Sequence, residues 1–227
     1  MTVVTGRKIS PRLPNRRGEG PRLRCDIVRA ATCLLEESGD EDAVTLRAVA
    51  RAVGIAAPSI YAHFSDPATI VGAVVAETFT ALIAALRAAR EGIEDPVERL
   101  SAQCYGYLRF ARQHPGLYRV LFARARRFEP PAGRLTAELE AEVNTTAKDA
   151  MIVEAGTPAI MLLVDAIAAC AAAGRSTSQD PWLDAVALWA MLHGYSALSI
   201  TNPEFPWPNE RVIVDAMISG QARLRPP

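Results

Sequence analysis

The amino-acid sequence predicts an all-α protein, with a small N-terminal helical domain followed by a larger helical one. Three observations carry this. Almost every segment beyond residue 21 spaces its apolar residues at helical period. No run alternates apolar and β-branched residues as a half-buried strand would. The breaks between segments are Gly, Asp-Pro and Pro-rich, the usual stops and restarts of helices. Half of the 227 residues are apolar, enough for a sizeable core.

Residues 1–21 mix three prolines and three glycines with arginines, which predicts a flexible arm and no helix until after Pro21. The first helix spans 22–38, with Ile27, Ala30, Ala31, Leu34 and Leu35 on one face and Gly39 as its stop. GDEDA, residues 39–43, reads as an acidic loop. Thr45 then caps a short helix with Leu46, Val49, Ala50 and Val53 inward, ended by Gly54. A third short helix is predicted over 57–64, with Pro58 in its first turn. Asp66 and Pro67 restart the chain as a long helix to about Gly92. Further helices are predicted near 96–113, 116–127, 133–154, 158–173, 181–200 and 208–224, with Gly156-Thr157-Pro158 as one of the breaks. The expected domains are a basic arm (1–21), an N-terminal module (22–66) and a C-terminal domain (67–227).

Net charge is zero, which argues against a protein that coats nucleic acid over its whole surface. The arm is different. Residues 1–24 hold seven basic residues, among them Arg22 and Arg24, against one acid, Glu19. Such an arm is a footprint of local nucleic-acid contact, or else a solvated tail; charge alone does not separate the two. Cys25, Cys33, Cys104 and Cys170 form no C-x-x-C pair and no zinc-ligand spacing with His63, His114 or His193. They read as free thiols of a reducing cytoplasm, with burial as small apolar residues expected ahead of redox sensing. No metal or cofactor is implied. No nucleophile elbow, phosphate loop or H-E-x-x-H is present, so an enzyme is not expected. The N-terminus lacks the apolar core of a signal peptide. The apolar run 158–174 is interrupted by Asp165, is short for a span, and reads as a buried helix. A cytoplasmic protein without a membrane partner is expected.

Ala50, Gly54 and Ile60 suit a helix-turn-helix: a small residue for close approach, a glycine for a left-handed turn, and a branched plug. An ordinary helical corner would use the same three types. The wider pattern is more specific. Ile27, Ala30, Ala31 and Leu34, then Gly39, Thr45-Leu46, Val49-Ala50, Val53-Gly54-Ile55, Ile60-Tyr61-x-His63-Phe64 and Ile70 together resemble the DNA-binding domain of the tetracycline-repressor (TetR) family of transcriptional regulators. Trp189, His193 and Gly194 resemble a Trp-x-x-x-His-Gly motif found in one C-terminal subtype of that family.

The resemblance implies a homodimer, paired through its last two long helices, whose recognition helices enter successive major grooves of a partly palindromic operator. It implies that Thr45 meets a phosphate and that Arg47 either does the same or is solvated. Ala57, Pro58 and Ser59 would face the groove floor, where Ser59 can hydrogen-bond and Ala57 and Pro58 can touch a thymine methyl. Tyr61 and His63 would hold phosphates, with a structural imidazole as the alternative for His63; Phe64 belongs to the core. Two positions depart from the family pattern: Ala56 stands where many members cap with Ser, and Pro67 where many grip a phosphate with Lys. Arg22, Arg24 and the arm offer compensation, the upstream arginines by way of the minor groove.

In the C-terminal domain the resemblance implies a pocket for a small hydrophobic effector. Its candidate lining is Tyr105, Phe110, Tyr118, Phe122, Met161, Trp189 and His193, with Tyr107 and Met151 beside them. Tyr118, Trp189 and His193 are the candidates for polar contact. The same residues would also fill a solid core. The functional expectation is a repressor released from its operator by an effector; the alternative is an effector-free helical DNA-binding or protein-interaction regulator.

Overall fold

The computed structural model describes residues 20–123 and 147–226. These carry helices α1 (Gly20–Ser38), α2 (Leu46–Val53), α3 (Pro67–Ala89), α4 (Pro96–Gln113), α5 (Pro115–Ala123), α6 (Ala147–Ala172), α7 (Pro181–Thr201) and α8 (Glu210–Gln221). Among the described residues there is no strand, as the sequence predicts; the one extended pairing is a single bridge between Ser176 and Leu224. The residues preceding Gly20, and so most of the arm with five of its basic residues, lie outside the described part. So does 124–146, which holds most of the helix expected over 133–154.

Aspartate-proline pairs start three of the long helices. Asp95 accepts hydrogen bonds from the backbone N–H of Val97 (2.8 Å) and Glu98 (2.9 Å), and Asp180 from that of Leu183 (3.0 Å). Asp66 accepts from Thr69 N–H at 2.8 Å. In each case the following proline sits in the first turn, where its missing N–H leaves no bond unmade. The N–H of Glu98, then that of Val97 and the charge of Arg175, hold the Asp95 carboxyl below its ordinary pKa of 3.8.

Four expectations need correction. Helix α1 begins at Gly20, before Pro21, because a proline in the first turn costs no hydrogen bond. Gly156-Thr157-Pro158 does not break the chain: α6 runs through it with Pro158 in its interior. Gly156 there lies against the Phe79 ring, where an added Cβ would come within 3.2 Å, so this glycine serves close packing rather than a turn. Where a helix is expected over 57–64, a 3₁₀ helix spans Ala57–Ile60 and a turn follows over 61–63. Cys25 and Cys33 are exposed on α1, off the face that buries Ile27, Ala31 and Leu35; Cys104 and Cys170 are buried.

The chain divides into two compact units, Met1–Val74 and Val75–Pro227, so the division falls inside α3. In the first unit α1 packs on α2 and α2 on the 3₁₀ turn. Ile27, Val28, Leu35, Val49, Ile60 and Ile70 form its centre, all of them fully buried. In the second unit α6 packs on α7 and α4, and α7 on α8 and α4. Gly106 on α4 seats closely against α3: a Cβ there would lie 2.9 Å from that of Ala89. By length and composition α3 and α7 would each suffice to cross a membrane. Half of the apolar window of α3 is buried within the protein, but only 33% of that of α7.

The end of the chain is fastened to the loop between α6 and α7. Asp184, 4% exposed, accepts from Arg223 Nε at 3.0 and 3.1 Å and from Ser178 Oγ at 2.6 Å. Ser176 Oγ donates to the Ala222 carbonyl at 2.6 Å, and Arg225 N–H to the Arg175 carbonyl at 2.9 Å. Arg223 holds φ +49°, a left-handed backbone that disfavours any side chain beyond glycine.

Candidate nucleic-acid interface and C-terminal cluster

The turn between α2 and the 3₁₀ segment is made by Gly54 at φ +78°, ψ +36°. Its N–H and that of Ile55 both donate to the Ala50 carbonyl, at 2.9 and 3.0 Å. Nothing lies within 4 Å of where a Cβ would stand, so glycine is required by the backbone angle and not by space. Thr45 caps α2 as expected, accepting from Ala48 N–H at 3.1 Å. Its hydroxyl proton is left over from that bond, and the residue is exposed.

Ala56 offers no capping oxygen, and Pro58 has no N–H to give. The chain winds tightly over Ala57–Ile60 and turns after it, with Ser59 N–H on the Ala56 carbonyl (2.9 Å), Tyr61 N–H on Pro58 (3.3 Å), and His63 and Phe64 N–H on Ile60 (2.8 and 3.0 Å). A 3₁₀ turn repeats every three residues, so i and i+3 eclipse. Burial follows that period. Ala57, Ile60 and His63 run half-buried, buried, half-buried, while Pro58 with Tyr61, and Ser59 with Ala62, stand exposed. Tyr61 is 61% exposed. Of the candidates here, Pro58, Ser59 and Tyr61 present themselves to solvent; Ala57 and His63 share the inward row of Ile60. Phe64 is buried, as expected.

Arg22 and Arg24 are exposed on α1. The Arg24 guanidinium lies over the Phe64 ring, 5.0 Å from its centroid. Stacking occupies a face of the guanidinium and leaves its in-plane N–H donors available. Arg47 is exposed on α2, and Arg51, one turn on, is exposed too. The sequence reading passed over Arg51, although its i,i+4 spacing from Arg47 puts both on one helix face.

In the C-terminal unit the structure brings Tyr118, Phe122, Trp189 and His193 together, with Tyr107. Tyr118 Oη lies 2.6 Å from His193 Nδ1 and 2.8 Å from Tyr107 Oη. The Phe122 and His193 rings are 4.3 Å apart, and Trp189 lies 6.2 Å from Phe122 and 6.1 Å from His193. Burial pushes the Tyr118 hydroxyl up to about 12 and Tyr107 well above its ordinary value, so both stay protonated.

The other three candidates stand apart from this cluster. Tyr105 donates to Asp215 Oδ1 on α8 at 2.8 Å, Phe110 is buried beside the His114 ring, and Met161 is 40% exposed. Nothing is described of the Met151 side chain. Two recesses among the described residues are not lined by the cluster either: one of about 10 Å³ touches Tyr195 and Ser196, and an open cleft of about 520 Å³ lies between α3 and α4.

Burial also lowers the His193 pKa from its ordinary 6.5, because the charged ring is poorly solvated there. The unfolded chain then binds a proton more readily than the folded one. The resulting stabilisation is present above pH 6.5 and is lost as pH falls through the folded value. Urea unfolding at pH 7.5 and 5.5 checks this: the wild type should lose more stability across that interval than His193→Gln, and equal losses would refute it.

The comparisons with known proteins agree with this geometry. Residues 27–74 match the family model described as bacterial regulatory proteins, tetR family. Residues 100–220 match the one described as tetracyclin repressor-like, C-terminal domain. The nucleoid occlusion factor SlmA of Aliivibrio fischeri is 27% identical over 120 residues, covering 53% of this chain and 58% of that protein. The chain thus spans little more than half the length of the curated relatives it matches. Among solved structures, a tetR-family regulatory protein from Rhodococcus RHA1 superposes with a TM-score of 0.61 at 19% identity, over 88% of this chain and 95% of that one. The fatty acid degradation regulator FadR from Bacillus halodurans does so with a TM-score of 0.65 at 14% identity, over 93% and 100%. With a family match at each end and this helical fold between them, the chain belongs to the tetR family of bacterial regulatory proteins, a family of DNA-binding regulators and not of enzymes.

Proposed function

We propose that this protein is a cytoplasmic, homodimeric transcriptional repressor that leaves a partly palindromic operator when a small hydrophobic effector binds its C-terminal domain. The observation that carries the DNA-binding half is the exposed row of Pro58, Ser59 and Tyr61 on a turn anchored by buried Ile60 and Phe64. Ser59 would read a base edge or a phosphate and Pro58 a thymine methyl, while Tyr61, Thr45, Arg47 and Arg51 would hold the backbone. Arg24, already oriented by Phe64, would add a phosphate contact.

The dimer would form on α7 and α8. Trp182, Leu183 and Leu198 on α7 and Val212 on α8 are each more than half exposed, an apolar surface that a second copy would cover. Two recognition turns would then sit one DNA turn apart, about 34 Å. The effector would engage the cluster of Tyr118, Phe122, Trp189 and His193, and would shift the protein only by its differential affinity for the bound and released states.

One observation favours the effector-free reading: Tyr118, Tyr107 and His193 already satisfy one another. Selection of protected genomic fragments would supply the operator. A hydrophobic-compound screen by thermal shift, followed by mobility shift on that operator, then tests the response. Compounds that raise Tm and release DNA support the repressor reading. Release that survives His193→Gln with Tyr118→Phe would remove the cluster from it, and the failure of broad libraries would favour the effector-free regulator.

A further inference from the structure

The open cleft between the end of α3 and the start of α4 has no part in either role described so far. Its volume is about 520 Å³, and it is lined by Ala84, Arg87, Ala88, Arg90, Glu91 and Arg99. It is a shallow, open site, with Ala84, Arg87, Ala88 and Glu91 exposed and Arg90 and Arg99 half-buried. Three arginines and one glutamate line it, and among the described residues none of the three arginines forms an ion pair.

Two of the arginines are held in place by neutral acceptors. Arg99 donates through Nε (2.9 Å) and Nη2 (2.6 Å) to the Ile93 carbonyl in the connecting turn. Arg90 donates through Nη1 to Oε1 of Gln103 at 3.2 Å, and Gln103 is 2% exposed. Arg87 has no partner among the described residues. Basic residues at a helix C-terminus are favoured by the backbone carbonyls there. That accounts for Arg87 and Arg90 as residue types. It does not account for Arg99, in the second turn of α4, or for buried Gln103 being spent on holding a guanidinium.

From this we infer that the cleft binds a phosphorylated small molecule. A guanidinium carries five N–H donors, and these anchoring bonds leave most of them uncommitted. A phosphate brings up to two negative charges and oxygens in several directions, so it can meet more than one planar fork; a single carboxylate has two oxygens in one plane. The lining itself carries three arginines against Glu91, although Glu94 and Asp95 follow in the same connection and Glu98 in the first turn of α4, so it is the geometry of the forks and not a large positive field that would select the ligand. Ala84 and Ala88, one turn apart on α3, give a small exposed apolar patch on which the body of the ligand would rest.

The test is isothermal titration calorimetry of the full chain at low salt, with inorganic pyrophosphate and with adenosine diphosphate as probes. Both should bind with sub-millimolar affinity, the nucleotide more tightly because its body reaches the alanine patch. Arg87→Gln should weaken both about tenfold, since one charge-assisted contact is lost. It should leave unliganded Tm unchanged because Arg87 has no partner among the described residues. Arg90→Gln should weaken them similarly. Ser59→Ala/Tyr61→Ala should have no effect, which separates this cleft from phosphate binding by the DNA-reading turn. No heat at millimolar probe overturns the inference. So does binding that ignores Arg87→Gln and Arg90→Gln, or that disappears with Ser59→Ala/Tyr61→Ala.

Discussion

Replacing Ser59 and Tyr61 together by alanine should lower affinity for the selected operator by at least about a hundredfold while leaving fold and dimer intact. The size follows from symmetry. Each lost contact is worth roughly 1–3 kcal/mol, and the proposed dimer on two half-sites would lose every contact twice. The fold should survive because both side chains are exposed and neither fills the core that Ile60 and Phe64 build. Fluorescence anisotropy with the operator, paired with size exclusion and thermal unfolding of the variant, reads the two halves separately. Unchanged affinity in a well-folded dimer would remove the 3₁₀ turn from the interface. A tenfold loss that vanishes at high salt would reassign the turn to phosphate holding alone.

The second large effect is on stability. Asp184→Ala should cost about 2–4 kcal/mol, because it strips the buried acceptor from Ser178 and Arg223 at once. The pair is only half-buried on the arginine side, which keeps the figure below that of a fully enclosed ion pair. The comparison of Arg223→Ala with Arg223→Gly is sharper. Both lose the ion pair, but glycine relaxes the left-handed backbone at φ +49°, which costs an L-residue about 1 kcal/mol. The glycine variant should therefore be the more stable of the two in urea titrations. If alanine is equal or better, the left-handed backbone is not a source of strain.

Local rules were legible wherever a few neighbouring residues decide the outcome. Asp95-Pro96 and Asp180-Pro181 announced helix starts, and Gly54 announced a left-handed turn; the structure has all three. Pro158 misled because a proline in a long apolar helix can be outvoted by tertiary packing, here Gly156 against Phe79. The 3₁₀ turn was half-legible. Ala56 shows in the sequence as a position without a capping oxygen, but not that a 3₁₀ helix stands there, with His63 half-buried and Ala62 outside.

The aromatic set was more mixed. Tyr118, Phe122, Trp189 and His193 did converge, but Tyr105 found Asp215, 110 residues away, and no local pattern foretells such a pair. The arginine cleft was invisible for the same reason, since Arg99 joins Arg87 and Arg90 only when two helices are folded together.

The close seat of Gly106 against Ala89 has a consequence for how this chain can diverge over evolutionary time. The two positions share a fixed volume, and the two small side groups already fill it. A methyl added at position 106 has to be withdrawn at 89, so each site limits what selection can accept at the other. Descendants of this sequence should therefore trade glycine and alanine between these positions as a pair, and larger residues at either should arrive only with a helix that has moved aside.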